Sequence, residues 1–227
     1  MLDRERLQHD GYALLRQAVP AAWLDPLREA FDRGVTPSAD WPVPRGPDWR
    51  HSLVDLDPTV MAACRLPLLL TAVGLLIGER FFLSQVEGRE PLPGGGYQGL
   101  HRDFSARRPG DTVSALLFLD DYGPGNGATR FVPATHRLAP DALPTDLAHG
   151  ADGLLQPEGT AGDILVFDAD LLHAASRNAS GARRRSLLAG YRAEPLHAQH
   201  QQSARLRGVR MDTRERFDPP PVGDAAG

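Results

Sequence analysis

Spacing of the apolar residues divides the chain near residue 80 into a helix-rich first part and a strand-rich remainder. Tyr12 to Arg16 is a short apolar run that reads as a strand. Pro20 opens Ala21 to Arg33, where Trp23, Leu24, Leu27 and Phe31 recur at helical spacing until Gly34 stops the pattern. Pro26 lies inside that run and delays the regular helix, because proline fits a helix's first turn and not its interior. Leu66 to Gly78 is almost continuously apolar, too short for a bilayer span of ~20 residues and suited to a buried helix. The first third therefore predicts helices with one strand. Residues 35 to 50 carry Pro37, Pro42, Pro44 and Pro47 with Trp41 and Trp49, which favours a surface loop anchored by its tryptophans over an active-site lid.

From Phe81 the period changes. Phe81 to Glu87, Thr112 to Leu119, Ala128 to Val132, Asp163 to Phe167, Leu172 to Arg177 and Ser186 to Tyr191 are short β-rich runs separated by Gly, Pro and Asn-Gly signals. Such spacing implies a sandwich or barrel. Residues 137 to 161 form a long Pro/Gly-dotted segment, either a functional crossover or a mobile loop, and Pro219 to Gly227 reads as a disordered tail.

Composition narrows the partners. At 227 residues the chain suits one domain with a sizeable core. A formal charge of -4, from 25 basic and 29 acidic residues, offers no electrostatic footprint for nucleic acid or an anionic membrane, so a small molecule is the expected partner. Cys64 is the only cysteine, which excludes an intrachain disulfide and a Cys-x-x-Cys zinc site and points to a reducing, cytoplasmic setting. Met1 to Arg6 is charged and lacks the apolar segment of an export signal.

Candidate chemistry sits at three places in the second part. His101 and Asp103 are two apart, after the glycine-rich run Pro93 to Gly99, and a second histidine, His173, follows the apolar run Ile164 to Phe167. In a strand, side chains at i and i+2 share a face, so His101 and Asp103 can hold one face of a metal while Arg102 points away. Two imidazoles and one carboxylate leave coordination positions open for a co-substrate and dioxygen, as non-haem Fe(II) oxygenases require. Asn178 to Gly181 forms a turn between β-rich runs, which as a hairpin would place His173 opposite about Ser186 and bring Arg184 and Ser186 to its side. A guanidinium there can bind a carboxylate in bidentate fashion and a hydroxyl can donate to the same group. Each feature has a plainer alternative: a surface histidine after a turn, a half-buried histidine, and a solvated basic turn at Arg183 to Arg185.

The motifs taken together resemble the phytanoyl-CoA dioxygenase family within the Fe(II)/2-oxoglutarate-dependent dioxygenases. The resemblance is carried by Gly11-Tyr12, by GLHRDF at 99 to 104, by VSALLFLDDYGPGNGATRFVPATHR at 113 to 137 and by GDILVFDADLLHAASRNASGARRRSLL at 162 to 188. It implies a mainly β fold with flanking helices: a double-stranded β-helix, or cupin-like jelly roll, over residues 81 to 193, a helical buttress over 1 to 80, and a C-terminal helix and tail over 194 to 227. It implies Fe(II) held by His101, Asp103 and His173, and 2-oxoglutarate anchored by Arg184. A polar residue on the strand before the His-x-Asp turn touches the co-substrate in similar proteins, which singles out Gln85. The family's His-Gly-Ser is His173-Ala174-Ala175 here, so the resemblance leaves Ser186 to supply the missing hydroxyl, and its Pro-Gly-Ser-His is Pro133-Ala134-Thr135-His136. Asp103 argues against a halogenase, in which that carboxylate is vacated.

The implied activity is hydroxylation of a C–H bond in a small metabolite or natural-product intermediate, by a monomer or small homo-oligomer. A jelly-roll metalloenzyme that dispenses with 2-oxoglutarate, and a non-catalytic binding jelly roll, are the competing classes. Arg89, Arg102, Arg107 and Arg130 could meet an anionic substrate group and Glu87 an amine, although a surface charge is the commoner fate of each.

Overall fold

A computed structural model describes residues 2–41, 43, 45–103, 108–139 and 154–221. Phe104, Arg107, the middle of the 137 to 161 segment and the end of the tail lie outside the described residues. The elements run α1 (Arg4–Asp10), β1 (Tyr12–Leu15), α2 (Leu24–Arg33), β2 (Val35–Thr36), β3 (Trp49–Ser52), α3 (Pro58–Ala63), α4 (Pro67–Ile77), β4 (Phe81–Pro91), β5 (Gln98–His101), β6 (Thr112–Phe118), β7 (Thr129–Phe131), β8 (Ile164–Asp168), β9 (His173–Ala175), β10 (Ser186–Ala193) and α5 (His197–Ala204). Among the described residues no helix is long and apolar enough to cross a membrane.

The strands form two facing antiparallel sheets of a jelly roll, a seven-stranded sheet in the order β1-β8-β6-β10-β4-β3-β2 and a three-stranded one in the order β5-β9-β7. The large sheet is apolar on both faces where both are covered. On its outer side Val113, Ala115, Leu117, Leu187, Ala189 and Tyr191 pack with Leu27, Phe31, Leu69, Val73 and Ile77 of the helices. On its inner side Leu116, Phe118, Leu165 and Phe167 meet Phe131 of the small sheet. Burial of this kind, at ~25 cal/mol per Å² of apolar surface, is the main force holding the sheets and helices together.

Three expectations need correction. The first third holds more than one strand: β2 and β3 extend the large sheet, with Trp49 paired to Pro91 and His51 to Arg89. The prolines at 37 to 47 precede β3 and cost it no ladder bond, so they do not prevent the strand. The 178 to 181 turn is not a hairpin. His173 pairs with His101 and Phe131 in the small sheet, whereas Ser186 pairs with Arg89 and Phe118 in the large one. Asn178 explains the switch: its side-chain amide donates to the Pro91 and Ala182 carbonyls and its backbone N–H to the Gly95 carbonyl, which pins the turn to the β4–β5 connection and sends the chain across the sandwich. Finally, β5 ends at His101, so Asp103 is placed by a loop bond, its N–H donating to the Ala169 carbonyl, and not by strand pleating.

Gly11 ends α1 in the left-handed region at φ 79°, and a Cβ there would lie 2.5 Å from Nδ1 of His136. The otherwise unexplained Pro133 to His136 segment thus closes over the start of β1, with the Ala134 N–H donating to the Asp10 carbonyl and the Thr135 hydroxyl to the Val132 carbonyl. Gly11→Ala is expected to cost about 2 kcal/mol or more through the combined conformational and steric penalty. A urea midpoint equal to that of the wild type would contradict this.

Candidate active site

The atoms of His101, Asp103 and His173 that could hold a metal ion lie within 4.8 Å of one another. Nε2 of each histidine is 3.7 Å from an Asp103 carboxylate oxygen, and the imidazole centroids are 4.2 Å apart. The ladder creates this meeting, because His101 and His173 are cross-strand partners on β5 and β9. Each imidazole is oriented by its own backbone: Nδ1 of His101 is 2.8 Å from the Gly99 carbonyl and Nδ1 of His173 is 2.9 Å from that of Leu171. A carbonyl accepts only, so each Nδ1 carries the proton and each Nε2 offers a lone pair toward the partner ligands. Burial also lowers the pKa of His173 and favours the neutral, ligating imidazole.

Asp103 hangs from the Asp168-Ala169-Asp170 turn. Burial pushes the Asp168 carboxyl up to about 7, against a bond from the Asp170 N–H that favours its charge. The folded-state value lies above the unfolded one, so folding is most favoured below about pH 4 and this group's contribution is lost as pH rises towards 7. Asp168→Asn is therefore expected to stabilise the fold at pH 8 by on the order of 1–3 kcal/mol and to add little at pH 4. Urea unfolding at both pH values checks this, and an equal change at the two would refute it.

Arg184 opens on the same cavity, of about 160 Å³, as the triad. Three consecutive arginines have unlike surroundings, as alternation along an extended chain dictates. Arg183 pairs with Asp32 and Glu90 at 2.8 and 2.7 Å, and Arg185 with Asp120 and Asp32 at 2.8 Å each. Arg184 is 2 % exposed, no carboxylate among the described residues pairs with it, and its Nε has no hydrogen-bond partner. Its guanidinium lies 4.6 Å from the Tyr122 ring centroid and 5.6 Å from that of Trp49. Burial pulls its pKa down from the ordinary arginine value, with the Tyr122 side chain opposing. A buried cation between two aromatic faces with a donor to spare can receive a carboxylate.

The structure also brings Ser186 to this cavity, but its hydroxyl donates to the Arg89 carbonyl at 3.2 Å. Ala175, where the family has serine, pairs with Thr129, whose hydroxyl is 2.6 Å from that of Tyr122. Gln85 is not brought to the cavity. Its side-chain oxygen accepts from Arg207 further along β4. Trp49, Arg89 and Thr129 line the cavity, and only Arg89 was legible as a candidate; strand register singles out Thr129 once Ala175 is placed, and no sequence signal marks Trp49. Glu87 is held by Arg45 and Arg89, and Arg102 donates to the Leu138 and Thr135 carbonyls. Three larger surface hollows, about 570, 540 and 280 Å³, are lined by no triad residue and among the described residues offer no comparable set of metal ligands, so chemistry and not size identifies the site.

A family model described as Phytanoyl-CoA dioxygenase (PhyH) matches residues 7–186. The chain belongs to the phytanoyl-CoA dioxygenase family. This PhyH-family chain is 38% identical over 151 residues to dioxygenase cdmA of Talaromyces verruculosus, across 62% of this chain and 44% of that protein. It is 28% identical over 153 residues to dioxygenase af480 of Aspergillus fumigatus, across 65% of this chain and 45% of that protein. The chain thus spans less than half the length of these curated relatives. Its fold matches the crystal structure of HygX from Streptomyces hygroscopicus with nickel, 2-oxoglutarate and hygromycin B bound, at a TM-score of 0.69 and 18% identity over 85% of this chain and 88% of that one. AviO1 from Streptomyces viridochromogenes Tue57 matches at 0.67 and 22%, over 86% and 96%.

Proposed function

We propose that this PhyH-family protein is a single-domain Fe(II)- and 2-oxoglutarate-dependent dioxygenase that hydroxylates a C–H bond of a small metabolite or natural-product intermediate. The observation that carries the reading is Arg184, a buried cation with no anion paired to it among the described residues, opening on the same cavity as a His/Asp/His ligand set. The donor set fits the metal: two neutral imidazoles with free Nε2 and one carboxylate suit Fe(II) and leave room for further ligands. The cavity fits the co-substrate, since about 160 Å³ lies well below the ~300 Å³ of a drug-sized ligand's pocket and suits a small diacid.

When bound, Fe(II) with 2-oxoglutarate and dioxygen supplies the oxidation, in which one oxygen atom enters the substrate as hydroxyl and the other leaves in succinate, with release of CO2. The protein supplies geometry. His101, Asp103 and His173 hold the metal, and the Gly99 and Leu171 carbonyls keep their imidazoles in the ligating tautomer. Arg184 takes the distal carboxylate, with Thr129 and Ser186 beside it. Leu116, Phe167 and Leu188 give the cavity an apolar lining, which strengthens each polar contact within it. The primary substrate lies outside this small cavity, on the side where Asp103 and His101 are 53% and 35% exposed.

The proposal extends to a cytoplasmic monomer or small homo-oligomer with no nucleic-acid or membrane partner, supported by the lone buried Cys64 and the balanced charge. Turnover tests it. Aerobic protein with Fe(II) and ascorbate should convert 2-oxoglutarate to succinate, and Asp103→Ala should not. Metal-dependent turnover of a substrate without 2-oxoglutarate consumption would replace this reading with that of a different metalloenzyme.

A further inference from the structure

The small sheet covers only part of the large sheet's inner face. Along β10, Leu187, Ala189, Tyr191 and Ala193 are buried against the helices, while Leu188, Gly190 and Arg192 on the inner face remain partly exposed. Leu188 lines the co-substrate cavity. Ladder pairing carries the next inner row as Phe167, Ser114, Gly190 and Gln85, and the row beyond it holds Thr112, Arg192 and Phe82, the last buried against the His197 and His200 rings of α5. Phe167 ties this surface to the metal site, its ring centroid lying 5.5 Å from that of His173. Between the buried rings of Phe167 and Phe82 these rows hold Ser114, Gly190, Gln85, Thr112 and Arg192, each partly exposed.

Two cations serve that polar floor, and among the described residues neither forms an ion pair with an acid. Arg192 forms no ion pair among the described residues, although Asp111 is close enough for its charge to be felt. Arg207, from the turn after α5, donates to two neutral acceptors, Gln85 Oε1 and, at 2.6 Å, His200 Nδ1. His200 therefore carries its proton on Nε2, which is buried with no acceptor. Burial lowers the pKa of Arg192, Arg207 and His200, and their mutual repulsion acts in the same direction on Arg207 and His200. Cations that a fold half-buries without a paired carboxylate gain most from an anion supplied from outside.

We propose that this uncovered floor is the primary-substrate subsite, and that the substrate presents an anionic group, a carboxylate or a phosphate ester, to Arg192 and Arg207 while the carbon to be oxidised lies near Phe167. The inference rests on the dioxygenase reading for what happens at that carbon. Arg192 is two residues along β10 from Gly190, ~6.6 Å at the rise of an extended strand, so the anion and the oxidised carbon are separated by several bonds. Small neutral molecules are poor substrates on this account.

The test uses full-length protein under argon with Fe(II) and saturating 2-oxoglutarate, so that Arg184 is already occupied. Equilibrium dialysis with hexanoate, hexyl phosphate, hexanol and methyl hexanoate reads the subsite directly. The expected result is that one or both anions bind about tenfold or more tighter than the neutral analogues, and that Arg192→Gln and Arg207→Gln abolish the preference. The better of the two anions identifies the substrate's acid. Arg192→Lys and Arg207→Lys, which keep the charge, should retain most of the preference and so separate charge recognition from misfolding. Equal binding of anions and neutral analogues, or an anion preference that survives the double glutamine variant, overturns the proposal. The visible band of the Fe(II)–2-oxoglutarate chelate in wild-type protein reads the dioxygenase assignment separately, since dialysis remains interpretable without it.

Discussion

Replacing Arg184 with methionine is expected to raise the Kd for 2-oxoglutarate about a hundredfold or more while leaving the metal ligands in place. The reasoning begins with desolvation. Arg184 is almost wholly buried, so the fold has already removed its guanidinium from water, and no carboxylate among the described residues pairs with it in return. A diacid whose distal end reaches it gains charge-assisted hydrogen bonds in a dry site, and deleting one partner of such a buried pair typically costs ~2–5 kcal/mol. The same logic gives an opposite sign for stability. An unpaired buried charge weakens the unliganded fold, so Arg184→Met should leave the free protein as stable as wild type or up to about 2 kcal/mol more stable. Thermal unfolding with and without 2-oxoglutarate checks both halves, since the ligand should raise Tm in wild type and not in the variant. A wild-type protein that gains nothing from 2-oxoglutarate would remove Arg184's assigned role.

His173→Ala should abolish turnover and lower Fe(II) affinity by about a hundredfold or more, a larger effect than the 10–100-fold typical of residues that only orient a ligand. His173 is the buried member of the triad, and its Nδ1 bond to Leu171 fixes the ring with Nε2 towards Asp103. The loss should not come from collapse of the sheet, because β9 keeps its backbone bonds to β5 and β7 whatever side chain stands at this position. Calorimetric titration of Fe(II) under argon, alongside circular dichroism, measures both. Unchanged metal affinity with an intact fold would take His173 out of the ligand set.

Much of this site is legible from the chain because its chemistry depends on residue type at short range. His101 and Asp103 sit two apart, and the arginines at 183 to 185 alternate in direction, so a local rule reaches each. What the sequence could not show depends on contacts between distant segments. The turn at Asn178 looks like a hairpin from either side, and only its bonds to Pro91 and Gly95 make it cross between sheets. Arg184 nevertheless reaches the cavity of His173 across the sandwich and not along a ladder, so their proximity has a different geometric cause from a hairpin. Gln85 fails for a related cause. It shares the inner face with Arg89 by strand alternation, but a residue of the C-terminal region, Arg207, engages its side chain. The strand at Trp49 escaped because four prolines and two tryptophans mimic loop composition, although its hydrogen bonds to β4 begin only after the last proline.

The central claim is that His101, Asp103 and His173 hold Fe(II) with 2-oxoglutarate chelated beside Arg184. Anaerobic visible spectroscopy tests it most directly. Wild-type protein with Fe(II) should develop the weak metal-to-ligand charge-transfer band of the chelate when 2-oxoglutarate is added, His173→Ala should show none, and Arg184→Met should require about a hundredfold more 2-oxoglutarate. No band in wild type, or a band that persists in His173→Ala, would contradict the account.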